Sequence, residues 1–148
     1  MKIREAKQSD LPAWSRLRTE LWPDTPDQHV SELKAYFAGE SIDITQSFVL
    51  ENPKDEVVGF IELNIRNFAE GSRNPNVPYV EGWWVDPSYQ GKGHGKALMQ
   101  RAEQWALALG FNELASDAEI ENHKSISIHK QLGFSETERV VCFLKQLG

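Results

Sequence analysis

Apolar positions along this chain change period several times, and each change marks an element. Residues 2–7 alternate briefly and read as a short edge strand. Ser9 and Asp10 can cap a helix that carries Leu11, Trp14, Leu17, Leu21 and Trp22 on adjoining faces, and Pro23 and Pro26 break it. Thr25-Pro26 opens a second helix with proline in its first turn; Leu33, Tyr36 and Phe37 are its apolar positions and Gly39 its stop. Residues 46–51 and 57–65 read as two strands joined by Asn52-Pro53-Lys54-Asp55-Glu56, a segment with the chemistry of a hairpin turn. Residues 66–78 are rich in Asn, Gly, Ser and Pro, which predicts a mobile loop and a candidate substrate lid. A strand follows over 79–85. The stripe Leu98, Ala102, Trp105, Ala106 and Leu109 then predicts a helix ending at Gly110. Residues 111–116 read as a strand, 122–132 as a helix closed by Gly133, and the chain from Phe134 as an extended segment with Val140, Val141, Phe143 and Leu144 apolar. The sum is an α+β pattern: two early helices, a mixed but mostly antiparallel sheet, and a strand–helix–strand–helix–strand close.

The 148 residues suit one domain, spanning 1–148, with one core. No apolar run reaches the ~18 residues of a membrane-spanning helix, and residues 1–7 lack the apolar core of a signal peptide. The single cysteine, Cys142, cannot form an internal disulfide, which fits a reducing cytoplasm. A net charge of −6 speaks against a nucleic-acid binder, which presents a basic face, and for cationic partners. His29, His94 and His123 have no carboxylate or cysteine at metal-ligand spacing, so no metal is expected.

The chemistry concentrates between Val85 and Met99. An aromatic strand runs through a proline turn into Gly91-Lys92-Gly93-His94-Gly95, and a helix begins there. Alternating glycines let a main chain approach a ligand with no Cβ in the way. The first free N–H groups of the following helix attract an anion. The segment therefore reads either as a pyrophosphate cradle or as a plain glycine-rich turn. It is neither the G-x-G-x-x-G of a dinucleotide fold nor a Walker loop.

Gln90-Gly91-Lys92-Gly93-His94-Gly95 matches the pattern Q/R-x-x-G-x-G/A and resembles the acetyl-CoA loop of the GCN5-related N-acetyltransferases, the GNAT superfamily. The stretch from Asn122 through Ser125 and Leu132 to Gly133-Phe134 is similar to that family's Asn-x-x-Ala/Ser-x-x-Leu-Tyr-x-x-Leu-Gly-Phe segment, and the order of elements agrees along the whole chain. The resemblance implies a GNAT acyl-CoA fold with two splayed central strands, here 79–85 and 111–116. It implies acetyl-CoA as co-substrate. Main-chain groups of Gly91, Lys92, Gly93, His94, Gly95 and Lys96, introduced by Gln90, would take the pyrophosphate. The backbone at Trp84 and Val85 would pair with pantetheine and polarise the thioester carbonyl, and Asn122 would reach the pantetheine arm. His129 stands where the family places a tyrosine general acid, and histidine can also protonate a thiolate.

Leu21-Trp22-Pro23, Glu81-Gly82-Trp83-Trp84-Val85, Ala115-Ser116-Asp117-Ala118 and Gly133-Phe134-Ser135-Glu136-Thr137-Glu138 resemble more narrowly the bacterial aminoglycoside 6′-N-acetyltransferases. An aminoglycoside is a polycation, and carboxylates strengthen hydrogen bonds to its ammonium groups. Glu81, Asp117 and Glu138, from three separate segments, are the expected acids. Trp22 and Phe68 would flank the sugar rings. The expected reaction is direct acetyl transfer in a ternary complex, with Glu81 as base, Asp117 orienting the amine and His129 as acid, in a homodimer that confers antibiotic resistance. Two alternatives stand beside it: acetylation of a polyamine, protein N-terminus or lysine, and acyl-CoA binding without catalysis.

Overall fold

The runs Gln46–Glu51 (β2) and Val57–Arg66 (β3) are apolar through most of their length because both faces of these strands are covered. The computed structural model describes all 148 residues, Met1–Gly148. Strand β1 (Lys2–Glu5) pairs with β2 at one edge, β4 (Val77–Val85) pairs with β3 at the other, and the pairings among these four strands are antiparallel. Asn52 holds the β2–β3 turn, its side-chain oxygen accepting from the amides of Lys54 and Glu56 at 3.0 and 2.9 Å.

Helices α1 (Leu11–Leu21) and α2 (Pro26–Phe37) cover one face, where Trp14, Leu17 and Leu33 meet Val49 and Phe60. Helix α3 (His94–Ala108) covers the other, placing Leu98, Met99, Ala102, Trp105 and Ala106 against Phe48, Leu50, Ile61 and Leu63. Burial of each leucine, isoleucine, valine, methionine or phenylalanine among them contributes roughly 1.5–3 kcal/mol. No helix is long and apolar enough to cross a membrane.

Four local readings change ahead of the last helix, and the closing strand expected after it is a fifth. Asp10 does not cap α1; its carboxylate takes the Lys7 amide at 2.8 Å and an ion pair with Arg4 at 2.7 Å, holding a one-turn 3-10 helix ahead of α1. Leu109 lies past the end of α3 and is exposed, so the buried stripe stops at Ala106. The loop after β3 is tethered rather than loose: Ala69 is buried, the Ser72 hydroxyl donates to Glu113 at 2.7 Å, and Gly71 lies against Thr137 with no room for a Cβ. Residues 111–116 touch β4 at a single parallel bridge, Tyr79–Ala115. There Val80 N–H donates to the Ala115 carbonyl and Ala115 N–H to the Pro78 carbonyl, both at 2.9 Å. The mixed character of the sheet rests on that bridge, and past it the two segments part, leaving the outer edge of β4 open from Glu81 to Val85.

Helix α4 (His123–Gln131) follows, and residues 134–148 form no strand. Val140, Val141, Phe143, Leu144 and Leu147 stand exposed along that tail, Phe143 at 92%.

Candidate functional site

The glycine loop takes its shape from two residues that only glycine occupies comfortably. Gly91 and Gly93 have φ of 77° and 86°, and a Cβ on either would point into open space. Gly93 is the N-cap of α3, and the first main-chain bond closing into the helix is Ala97 N–H to the Gly93 carbonyl at 3.0 Å. The preceding amides are the unpaired donors of a helix start, and the dipole of a 15-residue helix adds to them. Lys92 belongs to the same loop, and His94 and Lys96 lie in the first turn of α3.

Side chains fix this loop to the sheet. Gln90 Nε2 donates to the Val85 carbonyl at 2.7 Å, and its oxygen accepts from Lys124 of α4 at 3.2 Å. Trp83 Nε1 donates to the Gly95 carbonyl at 3.0 Å. Trp84 packs toward α1 and α2 on the opposite face of the sheet, its indole N–H reaching Glu20 at 3.3 Å. Asn122 caps α4, its side-chain oxygen accepting from the Ser125 amide at 3.1 Å. That bond occupies the oxygen and leaves the amide N–H groups for another partner.

Glu81 sits on a bulge. Glu62 of β3 pairs with Gly82 and Leu63 with Val80, so Glu81 is the extra residue between them. A bulge re-aims a side chain, and Glu81 meets a fork: Arg66 Nε donates to one carboxylate oxygen at 2.8 Å and Arg66 Nη2 to the other at 2.6 Å, with Asn64 adding 3.2 Å. The Arg66 guanidinium lies 3.6 Å over the Tyr79 ring, and Tyr79 OH donates to Asp117 at 2.7 Å. Pairing with Glu81 holds the Arg66 charge above its usual pKa. Burial, then the bond to Asp117, pushes the Tyr79 hydroxyl up. One network thus joins both candidate carboxylates.

His129 is held on both ring nitrogens. Nδ1 lies 2.8 Å from the Ser125 carbonyl, which can only accept, so Nδ1 carries a proton; Nε2 lies 2.8 Å from the Ser116 hydroxyl. The ring packs edge-on against Trp83 and Phe134, with centroids at 5.4 and 5.1 Å.

Two open cavities flank this network. One, of about 350 Å³, is lined by Arg66, Tyr79, Ser116, Asp117, His129 and Glu138 among others. The second, of about 360 Å³, lies under α1 and α2 and is lined by Arg18, Trp22, Glu32, Asp43, Glu62 and Glu81 among others. Trp22 leans over Gly82, where a Cβ would come within 2.6 Å of its ring. Glu62 is 1% exposed, accepts from Trp14 Nε1 at 2.9 Å and pairs with Arg18 Nε at 2.9 Å. Burial pushes its carboxyl up to about 7. Phe68 is exposed on its loop and borders neither cavity.

Asp117, His129 and Glu138 therefore share one cavity, and Glu81 joins them through Arg66. Arg66, Tyr79, Trp83 and Ser116 were not among the residues expected from sequence. Asn64 and Arg66, two polar residues at strand spacing near the end of an apolar run, were the available signal for Arg66.

A model of the acetyltransferase (GNAT) family matches residues 14–134. The aminoglycoside N(6′)-acetyltransferase type 1 of Klebsiella aerogenes is 39% identical over 146 residues, covering 98% of this chain and 96% of its own. The apo crystal structure of aminoglycoside antibiotic 6′-N-acetyltransferase AAC(6′)-IG from Acinetobacter haemolyticus superposes with a TM-score of 0.89 at 31% identity, covering 100% of both chains. AAC(6′)-Iy, solved in complex with the bisubstrate analog CoA-S-monomethyl-acetylneamine, gives 0.88 at 32% identity over 99% of this chain and 98% of its own. An amide cradle at a helix start, an open strand edge beside a single parallel bridge, and this likeness along the whole chain agree: the chain belongs to the GNAT acetyltransferase family.

Proposed function

We propose that the protein is an aminoglycoside 6′-N-acetyltransferase, transferring acetyl from acetyl-CoA to a primary amine of the antibiotic in a ternary complex. The observation that carries this reading is the joining of acids across two neighbouring cavities: Glu81 on one and Asp117 on the other are linked through Arg66 and Tyr79, and Glu138 lines the same cavity as Asp117. Full-length likeness to enzymes of that name supports it.

The amides of the Gly91–Lys96 stretch fit the diphosphate of acetyl-CoA, because no Cβ fills the space in front of Gly91 and Gly93. The open edge of β4 near Val85 offers main-chain groups to the pantetheine arm and to the thioester oxygen. The amine must lose a proton before it attacks, and Glu81 takes it directly or through water. Asp117 keeps one oxygen on Tyr79 and turns the other to the amine. The amine nitrogen bonds to the carbonyl carbon and gives up its second proton to water in the open cavity, the carbon–sulfur bond breaks, and sulfur leaves with the electron pair. His129 then passes a proton from Nε2 to Ser116 Oγ, whose own proton goes to the sulfur. The 2.8 Å contact between them is short enough for that relay.

One acetyltransferase domain spans 1–148, and its place is the cytoplasm. The exposed apolar tail supports a homodimer in which residues 134–148 pack on a second copy. Neither nucleic acid nor membrane is a partner of this acidic chain.

Thiol release assayed with acetyl-CoA against kanamycin, tobramycin, spermidine and a basic peptide tests the reading. The aminoglycosides should give the highest kcat/KM. A preference for spermidine or peptide would transfer the enzyme to another amine class, and release with none would make it a binding module.

A further inference from the structure

Arg66 occupies the place that an arriving ammonium would need. Its fork satisfies both oxygens of Glu81 at 2.8 and 2.6 Å, its plane covers Tyr79 at 3.6 Å, and the charge of Asp117 also acts on it. The pair is not sealed: the Arg66 side chain is 39% exposed and faces the cavity that holds Asp117 and Glu138. The other cations lining that cavity are Lys130 and Arg139, and Arg139 is already paired with Glu136 at 2.8 Å.

We propose that Arg66 is a specificity-determining residue that stands in for the substrate's cation and makes the acceptor site selective for polycations. The proposal rests on the function given above. An amine with one positive charge can engage Glu81 only by displacing Arg66. It exchanges one charged pair for another and leaves a guanidinium close by, so it gains little. An amine carrying several ammonium groups loses the same amount at Glu81 but recovers it at Asp117 and Glu138. Displacement requires little motion, because the guanidinium can slide on the Tyr79 ring. Once Arg66 has left, Glu81 is free to accept the proton of the bound amine. A cation inside an acidic pocket therefore works as a filter against simple amines.

The test compares Arg66→Met, which keeps the stem on Tyr79 and removes the charge, with Arg66→Lys, which keeps the charge and loses the fork. Glucosamine and kanamycin serve as probes with one and several amines. Binding is measured by calorimetry with coenzyme A present, and kcat and KM are taken alongside. Arg66→Met should tighten glucosamine about tenfold and kanamycin much less, lower KM for glucosamine more than for kanamycin, and so reduce the preference for kanamycin. Arg66→Lys should retain most of that preference. If Arg66→Met weakens both probes alike, or if both variants leave the ratio of affinities unchanged, Arg66 only props Glu81 and the proposal is overturned. The binding arm does not depend on turnover, so failure of the filter is distinguishable from absence of acetyl transfer by the unaltered protein.

Discussion

Arg18–Glu62 and Arg66–Glu81 are assembled from the same parts. Each is an arginine against a carboxylate, at 2.9 and 2.6 Å, and each guanidinium lies over an aromatic ring, Trp22 at 5.0 Å and Tyr79 at 3.6 Å. Both carboxylates flank the same bulge of β3 and β4. Solvent separates them. The side chains of the first pair are 6% and 1% exposed, those of the second 39% and 15%. Around Arg18 two buried guanidinium nitrogens, Nε and Nη1, make no hydrogen bond, Nε meeting Glu62 only as an ion pair, and Glu32 completes the cage at 2.6 Å. A buried pair costs desolvation to form and more to break, so it fixes α1 against the sheet. An open pair can exchange with solvent or with a ligand cation at small cost. Placement, more than residue type, makes one pair structural and leaves the other available for chemistry.

The largest effect is expected where neither pair reaches. Gly93→Val should fold with a strain of about 1–2 kcal/mol and lose measurable acetyl-CoA binding by calorimetry, with both pairs intact; normal binding would remove the cradle. Arg18→Met should lower the free energy of unfolding by about 3–5 kcal/mol, read from the urea midpoint, because Glu62 is left buried with only Trp14. Glu81→Gln should reduce turnover roughly 100-fold with little change in acetyl-CoA affinity, while Glu62→Gln leaves turnover near that of the unaltered protein. Equal losses from the two changes would erase the contrast between the pairs.

Titration should sharpen the contrast. The Glu62 carboxyl rises from an ordinary 4.5 to about 7 in the folded chain, chiefly by burial. Across that interval the folded chain holds a proton that the unfolded chain has released. Its contribution to stability is complete below about pH 4.5, declines as pH rises to about 7, and is level above that. Urea midpoints taken across this window should fall more steeply for the unaltered protein than for Glu62→Gln. The smallest effect is that of Arg66→Met on stability, less than about 1 kcal/mol, visible as a near-constant melting temperature.

Elements with a strong local pattern were legible in the sequence. Helix α3 follows from its apolar stripe, and β2 and β3 from continuous apolar runs around an Asn-Pro turn. The glycine loop is a matter of local backbone geometry, so Gly91 and Gly93 announce it. Segment 111–116 was harder, because apolar content does not reveal that it meets β4 at one bridge only. The tail was legible as apolar but not as exposed. The tether on loop 67–76 depends on Glu113, about 40 residues away in sequence, and composition alone made that loop look free.

The sequence by itself determined the order of the four paired strands and the helices, the glycine loop ahead of α3 and a set of acids on separate segments. These depend on residue type and short-range spacing. Tertiary structure alone decided that Arg66 clasps Glu81, that Tyr79 carries this contact to Asp117, that Ser116 faces His129, and that Glu62 is sealed while Glu81 is open. Those outcomes hinge on one register shift and one parallel bridge, where backbone groups distant in sequence meet. The strength of a charge depends on the water around it, and the fold sets that water.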